Sequence, residues 1–246
     1  MHRFFVSPEQ LKQHPILIDG EDYNHIRNVL RMKTGEKILL SDEGDKEYLC
    51  QIVGYTQEEA VQLEIIDITG NSRELSAKIT LFQGYPKGDK MEQIVQKAVE
   101  LGVAEIVPVM MNRCVVKFDD KKATKKVERL NAISLSAAKQ SKRGIVPVVK
   151  PVMTVKQAIA CAKDMEYIIL PYEQAEGMEY SRNIIGQAKG KSTIGVFIGP
   201  EGGFSEEEVH LIEGIGGKII TLGHRILRTE TAGMTVLSLL MYHLEE

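Results

Sequence analysis

Ile194-Gly195-Val196-Phe197-Ile198 runs directly into Gly199-Pro200-Glu201-Gly202-Gly203-Phe204, followed by Ser205-Glu206-Glu207-Glu208. An apolar run of strand length thus ends in a glycine-bearing turn. Ser205 and Glu208 have the spacing of a capping box, in which hydroxyl and carboxylate each accept from the other's backbone N–H. A helix is therefore predicted to start just after Phe204. About twenty residues on, Ile219-Ile220-Thr221-Leu222 enters Gly223-His224-Arg225-Ile226-Leu227-Arg228-Thr229-Glu230-Thr231-Ala232, which repeats the strand, turn and helix pattern. In an α/β sheet such strand ends are where small ligands bind.

Working outward, the region from Ala77 alternates strands and helices, which implies an α/β domain with a mostly parallel sheet covered on both faces. The predicted strands are Lys78 to Phe82, Ile106 to Val109 and Tyr167 to Leu170. A helix is predicted from Asp89 to Leu101, with Met91, Ile94, Val95 and Ala98 on one face and Gly102 as its stop. Others are a long basic helix from Lys121 to Gln140, one from Thr154 to Ala162 and one from Ile184 to Ala188. The last helix, Glu230 to Leu244, is apolar around most of its surface and is expected to be buried, in the core or against a second subunit.

Residues 1 to about 70 read differently. Ile16 to Ile18, Lys37 to Leu40, Tyr48 to Val53 and Val61 to Ile66 have strand length and composition, and Ser41-Asp42-Glu43-Gly44 follows the second of them as a turn. A short helix is expected from Glu21 to Leu30. This is a small, barrel-like β module. Gly70-Asn71-Ser72 is the predicted linker, which divides the chain into domains 1–72 and 73–246.

Composition narrows the function. The 246 residues hold 43% hydrophobic and 26% charged side chains, an ordinary globular balance. There is no apolar run of about eighteen residues to span a membrane, and the N-terminus turns polar too soon for a secretory signal, so cytoplasm is expected. Cys50, Cys114 and Cys161 are far apart and odd in number, which fits no disulfide framework and no zinc spacing, and buried free thiols are expected. No histidine spacing suggests a metal. Net charge is −3, but the segment from Lys117 to Lys150 carries ten basic against three acidic residues. The first 72 residues carry seven against thirteen. The basic segment is either a nucleic-acid footprint or a solvated helix face.

The glycine loops match neither a dinucleotide fingerprint nor a P-loop. Glycine lets backbone approach a ligand closely, and Glu201 suits a cationic or amine-bearing one. The pair of motifs, Gly199 to Phe204 and Leu222 to Ala232, resembles the RsmE family of SPOUT-class methyltransferases. His2-Arg3-Phe4-Phe5, His25-Ile26-Arg27-Asn28-Val29-Leu30-Arg31, Lys97 to Val103 and Gln140-Ser141-Lys142-Arg143 extend the resemblance over nearly the whole chain.

The resemblance implies an N-terminal PUA-like domain and a C-terminal SPOUT domain with a trefoil knot, a homodimer, and S-adenosyl-L-methionine as cofactor. It implies methylation of uridine N3 in 16S ribosomal RNA of the small ribosomal subunit. The implied cofactor pocket comprises Leu170, Pro171, Tyr172, Gly199, Pro200, Glu201, Gly202, Gly203, Leu222, Gly223, His224, Arg225, Ile226 and Leu227. Arg3, Arg27, Arg31, Arg113, Lys139, Gln140 and Arg143 are candidate RNA contacts, although Arg27 and Arg31 also form an i, i+4 pair on a helix face. Arg228 is the candidate for charge stabilisation, and Glu230 and Glu201 are the candidate bases. His224 is a base or a residue bonded within its own loop. Two other functions fit the sequence: methylation of another RNA position, such as a transfer-RNA ribose 2′-hydroxyl, and RNA binding without catalysis.

Overall fold

A computed structural model describes residues 1–42, 46–70, 74–116, 120–173, 175 and 177–245. Glu43 and Gly44 of the first predicted turn, and Asn71 and Ser72 of the predicted linker, lie outside them. The chain forms two compact units, one of Met1–Glu74 with Lys142–Val146 and one of Leu75–Ser141 with Pro147–Glu246. The short return of residues 142–146 to the first unit is a feature that the linear division at residue 72 lacks.

In the first unit, β1 (Arg3–Phe5), β2 (Ile16–Ile18), β3 (Lys37–Ser41), β4 (Glu47–Tyr55) and β5 (Val61–Thr69) make a sheet of order β1-β3-β4-β5-β2. Its pairings are antiparallel except β1 with β3. Period-2 alternation sets the inner face: Ile16, Ile18, Ile38, Leu40, Val61 and Leu63 are buried, while Leu17, Lys37 and Glu64 are exposed. The helix predicted over 21–30 is α1 (Gly20–Asn24) passing into a π-helical turn at His25–Val29. Arg31 lies beyond that turn with φ 55°. It therefore does not share a continuous helix face with Arg27, and the i, i+4 reading is corrected.

In the second unit, the order is β12 (Lys218–Ile220), β10 (Tyr167–Pro171), β11 (Thr193–Ile198), β6 (Lys78–Gly84), β7 (Glu105–Met110) and β8 (Val148–Val149), with β9 (Met153–Thr154) also on β7. Every recorded pairing is parallel. From Ile194 to Ile198 and from Ile79 to Gly84 every residue is buried, as a sheet covered on both faces requires. Phe82 and Phe197 stack across β6 and β11 with ring centroids 4.4 Å apart, a contact worth about 0.5–1.5 kcal/mol beyond area burial.

The helices are α2 (Lys90–Glu100), α3 (Asp120–Ser141), α4 (Val155–Ala162), α5 (Met178–Gly186), α6 (Glu206–Glu213) and α7 (Thr229–Leu244). In α2, Met91, Ile94, Val95 and Ala98 face inward as their spacing predicts. The helix expected from Ile184 begins six residues earlier, at Met178, because its first turns carry polar side chains that hide the period. The capping box at Ser205 is formed: Glu208 N–H donates to Ser205 Oγ at 3.3 Å, and Ser205 N–H donates to Glu208 Oε2 at 2.8 Å. In α7, Val236, Leu237, Leu240 and Leu244 are absorbed by the chain's own core, leaving Leu239 and Tyr242 exposed. Among the described residues no helix is long and apolar enough to cross a membrane. Of the cysteines only Cys50 is buried; Cys114 is half-buried and Cys161 exposed, which corrects the expectation of three buried thiols.

Candidate active site

Because β10, β11 and β12 run parallel and adjacent, their following loops emerge at one edge of the sheet. They enclose a cavity of about 830 Å³, with Pro171, Tyr172, Gly199–Phe204 and Thr221–Thr229 in its wall. A ligand pocket of this size takes a drug-sized molecule. All the residues expected to hold a cofactor line it except Leu170, which is fully buried beneath it in the sheet.

The loops are held by specific bonds. Tyr172 N–H donates to Ile220 O at 2.9 Å, which joins the ends of β10 and β12. Thr221 N–H donates to Ser181 Oγ at 2.9 Å, and Gly223 N–H to Thr221 Oγ1 at 3.2 Å. Thr229, the first residue of α7, donates its hydroxyl to Gly199 O at 2.6 Å and accepts from Gln83 Nε2 at 2.8 Å. This buried clip fastens the start of α7 to the loop after β11. Gly203 and Gly223 have φ of 69° and 113°, a region that L side chains avoid. A side chain at Gly223 would meet open space, whereas one at Gly199 would press on Gly203 and Phe204. Gly199 therefore serves the packing of its own loop as well as lining the cavity.

Charge is gathered at one end. Lys90 Nζ lies 3.0 Å from Glu201 Oε1 and 3.5 Å from Glu230 Oε2. Lys87 N–H also points at the Glu201 carboxylate, 3.2 and 3.4 Å from its oxygens. Burial pushes the Glu201 carboxyl up, but Lys90 and the backbone N–H groups outweigh it and hold it below the usual carboxylate range. The same pair raises Lys90, with the bond to Glu201 as the largest cause. Arg113 donates to Gly202 O at 3.0 Å and lines the cavity, which places it at the small-ligand site. His224, Arg225 and Arg228 line the cavity too, are exposed, and make no side-chain bond among the described residues. Among the described residues the local bond that was one reading of His224 is not formed.

Two expected RNA contacts are corrected. Arg3 is 6% exposed and Arg143 4%. Arg3 reaches Glu47 at 2.5 Å and Arg143 O at 2.7 Å, and Arg143 pairs through Nε and Nη2 with Glu74. They are internal ties of the first unit, with their charges already answered. Arg27 and Arg31 are exposed in that unit, Arg27 over the Tyr55 ring at 4.2 Å. Gln140 is exposed and Lys139 half-buried in the second.

Lys87, Lys90, Gln83 and Thr229 were not among the expected site residues. The signal for the lysines was present: β6 also ends in a glycine-bearing turn, Pro86-Lys87-Gly88-Asp89, that opens a helix.

A model of an RNA methyltransferase domain matches residues 73–241, and one of an RNA methyltransferase PUA domain matches residues 18–71. The chain is similar to ribosomal RNA small subunit methyltransferase E of Bacillus subtilis, at 38% identity over 100% of this chain and 98% of that protein. Its counterpart in Aquifex aeolicus is 34% identical over 98% and 99%. The crystal structure of a ribosomal RNA small subunit methyltransferase E from Neisseria gonorrhoeae bound to S-adenosyl methionine superposes with a TM-score of 0.81. It is 32% identical over 96% of this chain and 95% of that one. With both domains matched and the likeness running the full length, the chain belongs to the ribosomal RNA small subunit methyltransferase E family.

Proposed function

We propose that this protein transfers a methyl group from S-adenosyl-L-methionine to N3 of a uridine in 16S ribosomal RNA of the small ribosomal subunit, in the cytoplasm. The observation that carries the proposal is the cavity walled by the loops after β10, β11 and β12, in a chain of this family. The residues fit the cofactor. Gly199–Gly203 and Leu222–Leu227 offer backbone donors and acceptors beside apolar side chains, suited to an adenine. Glu201 brings a carboxylate into the cavity wall, where it already answers Lys90. A trefoil knot in this domain is part of the proposal, carried by the likeness to this family.

When bound, the cofactor supplies an electrophilic methyl on a sulfonium. Uridine N3 carries a weakly acidic proton and is a poor nucleophile until that proton leaves. In the balanced step, N3 gains the methyl, sulfur keeps the electron pair of the broken C–S bond, and the N3 proton passes to a carboxylate. Glu230 is the proposed base, since Glu201 is engaged by Lys90 and by Lys87 N–H. Arg228, exposed and unpaired among the described residues, is proposed to answer charge developing on the uracil carbonyls. Arg27, Arg31, Arg113, Lys139 and Gln140 are the proposed RNA contacts that remain available.

Methyl transfer from labelled cofactor to 16S RNA, followed by nucleoside analysis, tests the reading. The expected product is 3-methyluridine, with RNA affinity falling steeply as salt rises. Label on a ribose hydroxyl, or RNA binding with no transfer, would overturn it in favour of the two other functions.

The active form is proposed to be a homodimer. The helix argument narrows to Leu239 and Tyr242, which are 41% and 79% exposed, with Ile226 of the cavity loop at 90%. Sedimentation at micromolar concentration is expected to give a dimer, and a monomer there would refute it.

A further inference from the structure

Three charged side chains reach one point from three places in the chain. Lys90 opens α2, Glu201 lies in the turn after β11, and Glu230 lies in the first turn of α7. The two carboxylates are held very differently. Glu201 accepts from Lys87 N–H as well as from the lysine, so it keeps a partner when the lysine is lost. Glu230 Oε2 is shut off from water and has no hydrogen bond among the described residues. Its contact with Lys90, at 3.5 Å, is one of charge. The other ionisable groups of α2 are spent elsewhere, Glu92 on Arg129 of α3 and Lys97 on Glu100.

We propose that Lys90 is a positioning residue for methyl transfer: anchored on Glu201, it holds the carboxylate of Glu230 in place beside the cavity. This rests on reading the cavity as the methyltransferase site with Glu230 as base. A carboxylate oxygen shut off from water without a hydrogen bond is costly unless a counter-charge faces it, and for Glu230 Oε2 that counter-charge is Lys90. Removing Lys90 leaves Glu201 with Lys87 N–H as its donor, so the loop after β11 keeps that anchor. Glu230 loses its only charged partner among the described residues and is free to turn away. The loss therefore falls on the transfer step and not on cofactor binding. Misplacing a reacting group by about 1 Å can cost up to about 10²-fold in rate.

The test uses full-length Lys90→Met, Lys90→Arg, Glu230→Gln and the Lys90→Met/Glu230→Gln double variant. Single-turnover transfer of labelled methyl to 16S RNA and calorimetric cofactor affinity are measured for each. Lys90→Met is expected to slow transfer about 20-fold with cofactor affinity changed by less than about threefold. Lys90→Arg should recover most of the rate, because a guanidinium can bridge both carboxylates. In the Glu230→Gln background Lys90→Met should add less than about a further twofold, the signature of two residues acting through one contact. Parallel loss of affinity and rate, failure of Lys90→Arg to recover, or an undiminished loss in the Glu230→Gln background would overturn the proposal. Wild-type transfer tests the underlying function by itself, so the two failures are distinguishable.

Discussion

Arg228→Ala is expected to slow single-turnover methyl transfer about 100-fold, the low end of what removing one preorganised charge-stabilising donor costs. Arg228 is the N-cap residue of α7. Its neighbour Thr229 is fastened to Gly199 and Gln83, so the root of the side chain is fixed while its charge has no partner among the described residues. A cation at a helix N-terminus opposes the helix dipole, so the local structure gains nothing from an arginine there. The truncation should accordingly leave thermal stability within about 0.5 kcal/mol, as for an ordinary surface change. Cofactor affinity should move less than about threefold if the guanidinium acts on the transition state alone. Arg228→Lys should recover part of the rate, keeping the charge but losing the planar fork of donors. A rate for Arg228→Ala within about threefold of wild type would remove Arg228 from the mechanism.

What the sequence made legible were the features with a local cause. The inward face of α2 follows from residues three and four apart, and the start of α6 from a hydroxyl and a carboxylate three apart. The glycine loops stood out because a strand, a turn and a helix follow within a dozen residues. The illegible features have partners far along the chain. Arg3 and Arg143 looked like phosphate contacts because an arginine's charge is visible in sequence and its answer is not: Glu47, Glu74 and the Arg143 carbonyl lie 44, 69 and 140 positions from their partners. The return of residues 142–146 to the first unit is the same kind of fact. Lys90 was hidden likewise, since its two carboxylates follow it by more than a hundred residues. The start of α5 was missed for another reason: Ser181 turns inward to accept Thr221 N–H, a polar residue with a structural task that an apolar pattern cannot mark. In α7 the apolar count was right, but sequence alone could not apportion it between the chain's own core and a second subunit.

Gly84→Ala should damage both the stability of the cavity domain and its hold on the cofactor. Gly84 ends β6 and is buried against the turn after β11. A Cβ built there would stand 2.6 Å from both Pro200 Cδ and Pro200 N and 2.9 Å from Gly199 C. Two of these three atoms are backbone, and the third belongs to a proline ring, so no rotamer change relieves the contact. Either the end of β6 or the Gly199–Gly203 turn must move. The first is held in the sheet on both sides, by β7 and β11, so the turn is the part that yields. Overpacking of this kind costs about 1–3 kcal/mol, which for a domain of this size is a fall in melting temperature of roughly 2–12 °C. The displaced turn is also the cavity wall and carries Glu201, so cofactor affinity should fall about 30-fold or more, equivalent to roughly 2 kcal/mol. Gly88→Ala is the paired control: that glycine has φ 68°, unlike Gly84, but its Cβ would meet nothing within 4 Å. It should cost about 1 kcal/mol of backbone strain and leave calorimetric affinity near wild type. If Gly84→Ala binds S-adenosylmethionine as tightly as Gly88→Ala, the turn after β11 either is not displaced or does not hold the cofactor. A crystal structure of the variant would then decide between the two by the position of Pro200.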